Sequence, residues 1–380
     1  MYTFWALAWY GAVLLFVYRL VRILESERFF HRHAHDNALI DTFVSIIIPA
    51  RNEESNIERV VRSLAVQSLE ARHYEIIIVN DNSTDDTATI AQALSREFTH
   101  VRLINAPLLP QGWSGKNHAC HIGSLEAKGD YLLFIDADTQ AGISLLETTL
   151  RFARNRAIDL LSMSPMQEMI SVGEKLLLPA IFLGVAGTIR LDKINTSRFS
   201  DALANGQFLM FSRSCYTKIG GHEAIKNQLC DDVTFAHVVK QKGMRLHFGL
   251  LKRHEFSARM YDSFGSAWKG FGKNLSDILG IRGYGHALRN VGYFLFLMMG
   301  WVAAPWMLYN GSIGEWASWV WAVAAITLLS IVTVAAREFR IGVLYVLFLP
   351  WAYGLYAVLL LRSLRLRTQK GAREWRGRFY

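Results

Sequence analysis

Residues 44–54 have the sequence VSIIIPARNEE, in which a short apolar run is followed at once by a polar turn. Further short apolar runs follow, and amphipathic stretches such as Glu54–Gln67 and Thr87–Arg96 alternate with them. These runs are Ile76–Val79, Val101–Ile104, Tyr131–Ile135, Leu160–Met163 and Phe208–Phe211. Wholly apolar strands separated by helices are typical of a largely parallel sheet covered on both faces. Residues 43–250 are therefore predicted to form an α/β domain.

Polar residues follow the predicted strands at the points where the strands end. The first strand leads into Arg51-Asn-Glu-Glu54, the second into Asp81-Asn-Ser-Thr-Asp85, and the fourth into Asp136-Ala-Asp138. In open α/β sheets the ligand crevice lies beyond the carboxyl ends of the strands. These residues are therefore candidates for ligand binding.

Asp136 and Asp138 are the strongest of these candidates. Residues i and i+2 of an extended chain point to the same side, so the two carboxylates can converge on one ligand. Hard oxygen ligands with open positions suit Mg²⁺ or Mn²⁺ bridging to a diphosphate. Helix capping is the alternative: Asp138 could cap a helix near Ile143, and Asp81 could form an Asx turn.

A further acidic pair, Asp231-Asp232, precedes the predicted helix Thr234–Lys242. The helix dipole stabilises an ionised carboxylate at this end, which suits a base that accepts an alcohol proton. Plain capping could explain one of the two acids. No glycine-rich nucleotide loop of the GxGxxG or GxxxxGK[ST] type occurs, but the loop before the predicted helix Asn117–Lys128 contains Lys116, which could hold a phosphate.

The composition indicates a membrane-associated chain. Of 380 residues, 52% are hydrophobic and 19% are charged. Low proline, ordinary glycine and three widely spaced cysteines exclude disordered, collagen-like and disulfide-scaffold proteins. The net charge of +9 is concentrated in residues 362–380, where seven basic residues accompany one acid. A basic segment after an apolar run is typical of contact with anionic lipid headgroups, and a nucleic-acid patch is the less favoured alternative.

Four long apolar runs predict membrane helices: Tyr2–Tyr18, Val291–Tyr309, Trp316–Ala336 and Ile341–Leu361. Arginines follow the first run, which predicts an uncleaved anchor with the following domain in the cytoplasm. Three C-terminal spans would place the basic tail outside, against the positive-inside rule. Because Pro350 interrupts the last run, two spans and one re-entrant or interfacial segment are favoured.

These observations predict five regions along the chain. They are an N-terminal transmembrane anchor (1–24), the α/β domain (43–250), an interfacial or acceptor-side segment (251–290), membrane helices (291–361) and a basic tail (362–380). The predicted location is the cell (inner) membrane, with several membrane passes and a cytoplasmic α/β domain.

Four motifs in order, VSIIIPARNEE from Val44, IVNDNSTDDT from Ile78, Asp136-Ala-Asp138 and Asp231-Asp232, closely resemble family 2 glycosyltransferases. The resemblance covers about residues 43–250. It implies the GT-A fold, which is a Rossmann-like and mostly parallel α/β sheet. It also implies a nucleotide-sugar donor, a divalent metal and inversion at the transferred sugar.

The resemblance also implies a role for each matching residue. The first two motifs would form the nucleoside pocket, with an acid in the position of Asp81 contacting the base. Asp136 would face the ribose, Asp138 the Mg²⁺ or Mn²⁺ ion, and Asp232 would be the catalytic base. The family usually has Glu-Asp at the last motif, so the role of Asp231 is the one that this sequence leaves in question. The candidate donor-binding residues are Pro49, Ala50, Arg51, Glu53, Asp81, Lys116 and Asp136.

A narrower resemblance concerns the flanking segments. The Gly112-Trp-Ser-Gly-Lys116 loop, Arg259-Met-Tyr261, the C-terminal apolar helices and the closing Trp375-Arg-Gly-Arg look like membrane-bound members that glycosylate carotenoid acids or hopanoid-type lipids. The QxxRW motif of processive polysaccharide synthases does not occur, which favours single-sugar transfer to a lipid-like acceptor. A polyprenyl-phosphate sugar transferase and a non-catalytic membrane scaffold of the same fold are the alternatives.

Overall fold

The computed structural model describes residues 2–33, 42–309, 316–368, 374–375 and 378–379. The described residues divide into two compact units. One comprises Glu25–Glu168, Arg190–Met260 and Glu374–Tyr380, and the other comprises Met1–Leu24, Met169–Ile189 and Tyr261–Arg373. The boundary after Leu24 falls inside the first helix. Parts of the basic tail and of the closing Trp375 motif lie outside the described residues.

The first unit contains a seven-stranded sheet and a three-stranded one. The strands are β1 Val44–Ala50, β2 Tyr74–Asn80, β3 Val101–Asn105, β4 Tyr131–Ile135, β5 Thr139–Ala141, β6 Leu160–Ser164, β7 Met166–Gln167, β8 Phe208–Ser212, β9 Leu246–Leu250 and β10 Phe256–Ala258, followed by the pair β11 Glu374–Trp375 and β12 Arg378–Phe379. The large sheet has the order β3-β2-β1-β4-β8-β6-β9, and only β8 is antiparallel to its neighbours. The predicted mostly parallel α/β sheet is therefore confirmed.

Helices connect these strands and continue into the second unit. They are α1 Tyr2–His33, α2 Ile57–Ala65, α3 Thr87–Glu97, α4 Gly115–Glu126, α5 Leu145–Asn155, α6 Val172–Thr188, α7 Leu191–Ile194, α8 Arg213–Ile219, α9 Gly221–Ala224, α10 Asp231–Gln241, α11 Phe264–Ile278, α12 Tyr284–Met298, α13 Gly300–Tyr309, α14 Trp316–Glu338 and α15 Leu349–Thr368. Short 3₁₀ helices span Ala71–His73 and Val343–Phe348.

The core of the sheet-containing unit forms where α2 packs on the central strands. Ile46 and Ile48 of β1 share one buried cluster with Val60 and Leu64 of α2, and all four are fully buried. Burying a side chain of this size contributes roughly 1.5–3 kcal/mol relative to leaving it in water. Ile47, whose side chain points to the opposite face of β1, is buried as well, so both faces of the sheet are covered here.

A glycine allows the chain to pass close to β1 just before β4. A Cβ atom added to Gly129 would lie 2.4 Å from the backbone nitrogen of Ser45, which no side chain can tolerate. The Ser45 hydroxyl accepts the Gly129 N–H at 2.8 Å and donates to Glu75 at 2.7 Å. This junction fixes where β4 starts, and therefore where Asp136 and Asp138 emerge from its end.

Within the described part of the chain, three helical segments are long and apolar enough to cross a membrane: Phe4–His33, Ser318–Glu338 and Val343–Arg367. The predicted run Val291–Tyr309 is divided into α12 and α13, which meet at Met299. The last run, Ile341–Leu361, is divided as well, because a 3₁₀ helix covers Val343–Phe348 and α15 begins at Leu349. Pro350 is the second residue of α15, in the first helical turn where a missing N–H disrupts no hydrogen bond.

Candidate active site

The carboxyl ends of β2, β1 and β4 lie side by side at one edge of the large sheet. Because β8 runs antiparallel to β4, residues that precede β8 reach the same edge. The pairing Ile135↔Phe208 places Gly206 and Gln207 beside the residues that follow β4. The candidate site is therefore built from residues after three strands and before a fourth.

The first two motifs are tied to each other by main-chain hydrogen bonds. The Asp81 N–H donates to the Ala50 carbonyl at 2.8 Å, next to Pro49 at the end of β1. The Arg51 guanidinium donates to the carbonyls of Asp81 at 2.7 Å and Asn82 at 2.9 Å. Asp81 is fully buried. This part of the edge is a wall fixed by hydrogen bonds between the two motifs, and it contains a buried acid.

Glu53 belongs to the same wall. Its N–H donates to the Thr87 hydroxyl at the start of α3, and its carboxylate accepts the Asn56 side-chain amide at 2.8 Å. The side chain is buried, with 8% exposed. The five donor-binding residues predicted from the first two motifs thus lie in this one part of the site. They are Pro49, Ala50, Arg51, Glu53 and Asp81.

Lys116 lies in the first turn of α4, which begins two residues earlier than predicted. Ser114 caps this helix through the Asn117 N–H. The Asn117 side-chain amide donates to the carbonyls of Ile225 at 2.8 Å and Gln228 at 2.9 Å. The first turn of α4 is thereby fixed to the segment that leads into Asp231.

The Lys116 ammonium contacts two carboxylates, that of Asp136 after β4 and that of Asp231 at the start of α10. Its Nζ lies 2.8 Å from Asp136 Oδ1 and 3.8 Å from Asp231 Oδ2. Burial opposes its positive charge, but Asp136 and Asp231 outweigh that effect and raise the pKa of Lys116 well above its ordinary value. Lys116 therefore stays protonated and links the two acidic motifs.

The pKa of Asp136 is raised above that of an ordinary aspartate. Burial is the largest cause, Lys116 opposes it, and the charge of Asp138 adds to it. The chain turns directly after β4 here, so the pair lies in a turn and not in an extended segment.

Asp232 lies in the first turn of α10, which starts at Asp231 and thus three residues earlier than predicted. Its carboxylate accepts the Gly206 N–H at 2.9 Å and the Val233 N–H at 2.7 Å. Burial and the neighbouring charge of Asp231 raise the pKa of Asp232 to about 6. A carboxylate fixed by two main-chain donors, with a pKa near neutrality, is suited to accept a proton.

Asp138 does not cap a helix. It is followed by β5, and the next helix, α5, has Ser144 at its N-cap. The Asp138 carbonyl accepts the Arg259 N–H and an Arg59 guanidinium N–H, each at 3.0 Å. Its carboxylate accepts the Gln207 side-chain amide at 3.2 Å. The capping alternative for this residue is therefore wrong.

The donor atoms at Asp136 and Asp138 fit a divalent cation of the magnesium type. Among the described residues, no group of three or more histidine, cysteine or acidic side chains is arranged to hold a metal. Magnesium-type ions are commonly held by one or two protein carboxylates together with substrate phosphates. Two adjacent carboxylates therefore suit an ion whose remaining ligands come from a diphosphate.

Three residues of the site were not predicted from the sequence. They are Gly206 and Gln207, which precede β8, and Gln167, which donates to the Gln207 side chain. Gly206 contacts Asp232, and Gln207 contacts Asp138. The candidates predicted from the sequence follow strands or precede helices, whereas residues that precede a strand reach this edge only if that strand is antiparallel to its neighbours. The polar stretch Asn205-Gly-Gln207 directly before an apolar run was the available signal, but the direction of β8 is not encoded in that run.

The chain was compared with known protein families and proteins. Residues 45–214 match the family described as glycosyl transferase family 2. A 4,4′-diaponeurosporenoate glycosyltransferase of Staphylococcus haemolyticus is 31% identical over 182 residues, which is 47% of each chain. A dolichyl-phosphate β-glucosyltransferase of Trichomonas vaginalis is 34% identical over 119 residues, 29% of this chain and 35% of that protein. The chain thus spans about half, or less, of the length of these relatives.

A solved structure supports the same fold. A mannosyltransferase of Pyrobaculum calidifontis, determined in complex with GDP-Man and Mn²⁺, superposes with a TM-score of 0.57 at 16% identity. The superposition covers 97% of this chain and 100% of the other. Residues 45–214 of this protein therefore belong to glycosyltransferase family 2, with the GT-A fold that their motifs had indicated.

Proposed function

We propose that the protein transfers a single sugar, with inversion, from a nucleotide sugar to a hydroxyl or carboxyl group of a hydrophobic acceptor at the cytoplasmic membrane face. The observation that carries this proposal is the Lys116 ammonium between Asp136 and Asp231. It brings the acids expected to bind the donor next to the acids expected to activate the acceptor. The names of the relatives, which specify a carotenoid acid and dolichyl phosphate, support a lipid-like acceptor.

The donor would bind along the carboxyl edge of the sheet. Its nucleoside would lie against the wall formed by the first two motifs, where Asp81 is the buried acid. Asp136 and Asp138 would hold Mg²⁺ or Mn²⁺, which when bound offsets the negative charge of the diphosphate leaving group. Lys116 would supply a fixed positive charge on the same side.

Asp232 would accept the proton of an acceptor hydroxyl as that oxygen attacks the anomeric carbon. The bond from oxygen to sugar forms while the bond from sugar to diphosphate breaks, so no sugar–enzyme intermediate is required. The Gly206 and Val233 N–H groups hold the carboxylate in place before the reaction. Asp231, whose buried Oδ2 accepts no hydrogen bond from any described residue, would keep Lys116 near this base.

Two alternatives make different predictions. A polyprenyl-phosphate sugar transferase would use a phosphate oxygen as the acceptor, a reaction that the name of the Trichomonas relative suggests. A non-catalytic scaffold would keep the fold without turning over the donor. The close set of carboxylates around Lys116 weighs against a scaffold, because buried like charges destabilise a fold that does not use them.

Donor turnover and lipid analysis test this proposal together. The purified protein with Mn²⁺ is expected to release nucleoside diphosphate slowly from UDP- or GDP-sugars without an acceptor. Lipid extracts from cells that express the protein are expected to contain a glycosylated hydrophobic species that is absent with Asp232→Asn. A sugar found on a polyprenyl phosphate would favour the first alternative. No release and no new glycolipid would favour the scaffold.

Membrane association is predicted to be integral. We propose the anchor in residues 1–24, an interfacial segment over 251–290, membrane helices within 291–361 and a cytoplasmic basic tail over 362–380. The protein is expected to stay in the pellet after alkaline carbonate extraction, because three helical segments are long and apolar enough to span. In inner-membrane vesicles, protease is expected to cut residues 43–250 from the cytoplasmic side only. Release into the supernatant, or cleavage only from outside, would contradict this assignment.

A further inference from the structure

The carboxylates of Asp136 and Asp138, which follow the same strand, contact different side chains. Asp136 has the Lys116 ammonium at 2.8 Å, whereas Asp138 has the neutral Gln207 amide at 3.2 Å. An amide N–H occupies a carboxylate lone pair without cancelling its charge. The contact with Gln207 therefore orients Asp138 and leaves its attraction for a cation in place.

The amide of Gln207 is itself oriented by a second amide. Gln167 donates an N–H to Gln207 Oε1 at 2.9 Å. Gln207 and Gln167 are 1% and 7% exposed, so bulk water has little access to this bond. If the Gln207 amide flipped, its oxygen would face the carboxylate of Asp138 and the N–H of Gln167 would lose its acceptor. The hydrogen bonds thus have one direction, from Gln167 through Gln207 to Asp138.

The backbone fixes both ends of this chain of hydrogen bonds. Gln167 is in β7 opposite Ala258 of β10, and Ala258 is opposite Thr139 of β5, directly after Asp138. Gln207 precedes β8 in the large sheet. The backbones that carry the two amides therefore adjoin two different sheets, β7 in the small one and β8 in the large one.

We propose that Gln207 is a positioning residue for Asp138 as a metal ligand, and that Gln167 sets the direction of the Gln207 amide. This inference rests on the proposed function, because it takes Asp138 to be a ligand of Mg²⁺ or Mn²⁺. Residues that hydrogen-bond a metal ligand typically change metal affinity about 10- to 100-fold when they are replaced. A change of that size is expected here without loss of the fold.

Mn²⁺ binding to the full-length protein in detergent tests the inference directly. The free-ion EPR signal is followed during titration with Mn²⁺ alone and with UDP or GDP present, each against a protein-free sample. Gln207→Leu is expected to raise the Kd for Mn²⁺ about 10- to 100-fold. Gln92→Leu, an exposed glutamine of α3, is the matched control and is expected to bind as the wild type does.

Gln167→Glu provides a test that leaves Gln207 unchanged. The introduced carboxylate accepts hydrogen bonds and cannot donate, so the Gln207 N–H groups are expected to turn toward it and away from Asp138. Mn²⁺ affinity is then expected to fall, although the Gln207 amide and the Asp138 carboxylate are both still present. Melting temperatures show which variants are folded, and Gln167→Leu, which only removes the donor, replaces Gln167→Glu if that variant unfolds.

The outcomes separate this inference from the proposed function. Wild-type Mn²⁺ affinity in folded Gln207 and Gln167 variants, together with loss of binding in Asp138→Asn, would overturn the positioning role and leave the metal site in place. Failure of the wild-type protein to bind Mn²⁺ under all three conditions would overturn both. Weakened binding in the Gln207 and Gln167 variants but not in Gln92→Leu would support the role proposed for the two amides.

Discussion

Asp232→Asn is expected to slow sugar transfer to a hydroxyl acceptor about 100- to 10,000-fold. An alcohol is a weak nucleophile at neutral pH, and the proposed base is the group that removes its proton. The substitution keeps the shape of the side chain, and the amide oxygen can still accept one of the two main-chain N–H bonds from Gly206 and Val233. Initial rates of glycolipid formation at saturating donor measure the effect.

Donor affinity separates a base from a residue that only supports the fold. The nucleoside wall and Asp138 are formed by other elements, so Asp232→Asn is expected to leave the donor Kd and the melting temperature nearly unchanged. A purely structural role at a helix start would lower stability, typically by about 1 kcal/mol, together with donor binding. If Asp231→Asn abolishes transfer while Asp232→Asn retains it, the base is the other member of the pair.

The chemical class of the acceptor changes this expectation. A hydroxyl needs a base, whereas an acceptor carboxyl group is already ionised at neutral pH. Transfer that is slow to a hydroxyl but near normal to a carboxylate would identify the acceptor class while keeping Asp232 as the base. Near-normal transfer to a hydroxyl in both aspartate variants would remove the main support for the inverting mechanism.

The pH dependence provides a check on the same residue. A base must be ionised, so kcat/KM for a hydroxyl acceptor is expected to fall as the pH drops through about 6, the raised pKa of Asp232. A carboxyl whose pKa is higher in the folded state binds its proton more tightly there, so protonation at this site favours the folded state. The loss of activity is therefore not expected to be accompanied by unfolding at this residue.

The sequence was sufficient to predict those features that depend on local pattern. The six predicted apolar runs coincide with β1, β2, β3, β4, β6 and β8 of the large sheet. The polar residues that follow β1, β2 and β4 lie at one edge of this sheet, as predicted. The starts of α4 and α10 were placed two and three residues too late, because Lys116 and the acidic pair were assigned to the preceding loops. In the structure these residues lie in the first turns, where Asp231 and Asp232 are favoured by the helix dipole.

Contacts between distant segments could not be predicted in the same way. The direction of β8 depends on its pairing with β4 and β6, and a wholly apolar run reads alike in both directions. The contacts of Gly206 with Asp232 and of Gln207 with Asp138 follow from that direction. Likewise, the ion pair between Lys116 and Asp136 joins two segments that are distant in sequence. The first turn of α4, which contains Lys116, is held by the hydrogen bond from the Asn117 side chain to the Ile225 carbonyl.

Asp138→Asn is expected to abolish the part of donor affinity that depends on Mn²⁺ or Mg²⁺. The measured quantity is the ratio of donor Kd values with chelator and with Mn²⁺, for UDP- and GDP-sugars. This ratio is expected to be large for the wild type and to fall to unity for Asp138→Asn. Asp192→Asn, on α7, removes the same charge outside the acidic motifs and is expected to keep the wild-type ratio.

The physical reason is that the substitution changes charge and little else. The introduced amide oxygen can still accept the N–H of Gln207, and the backbone bonds from Arg59 and Arg259 do not involve the side chain. What is lost is an anionic oxygen that a hard divalent cation prefers to a neutral one. Asp136 remains in the variant, but Lys116 lies 2.8 Å from its carboxylate and offsets part of its charge, so it does not make up for the lost anionic oxygen. If Asp138→Asn binds donor as tightly as the wild type when Mn²⁺ is present, the assignment of Asp138 to the metal is wrong.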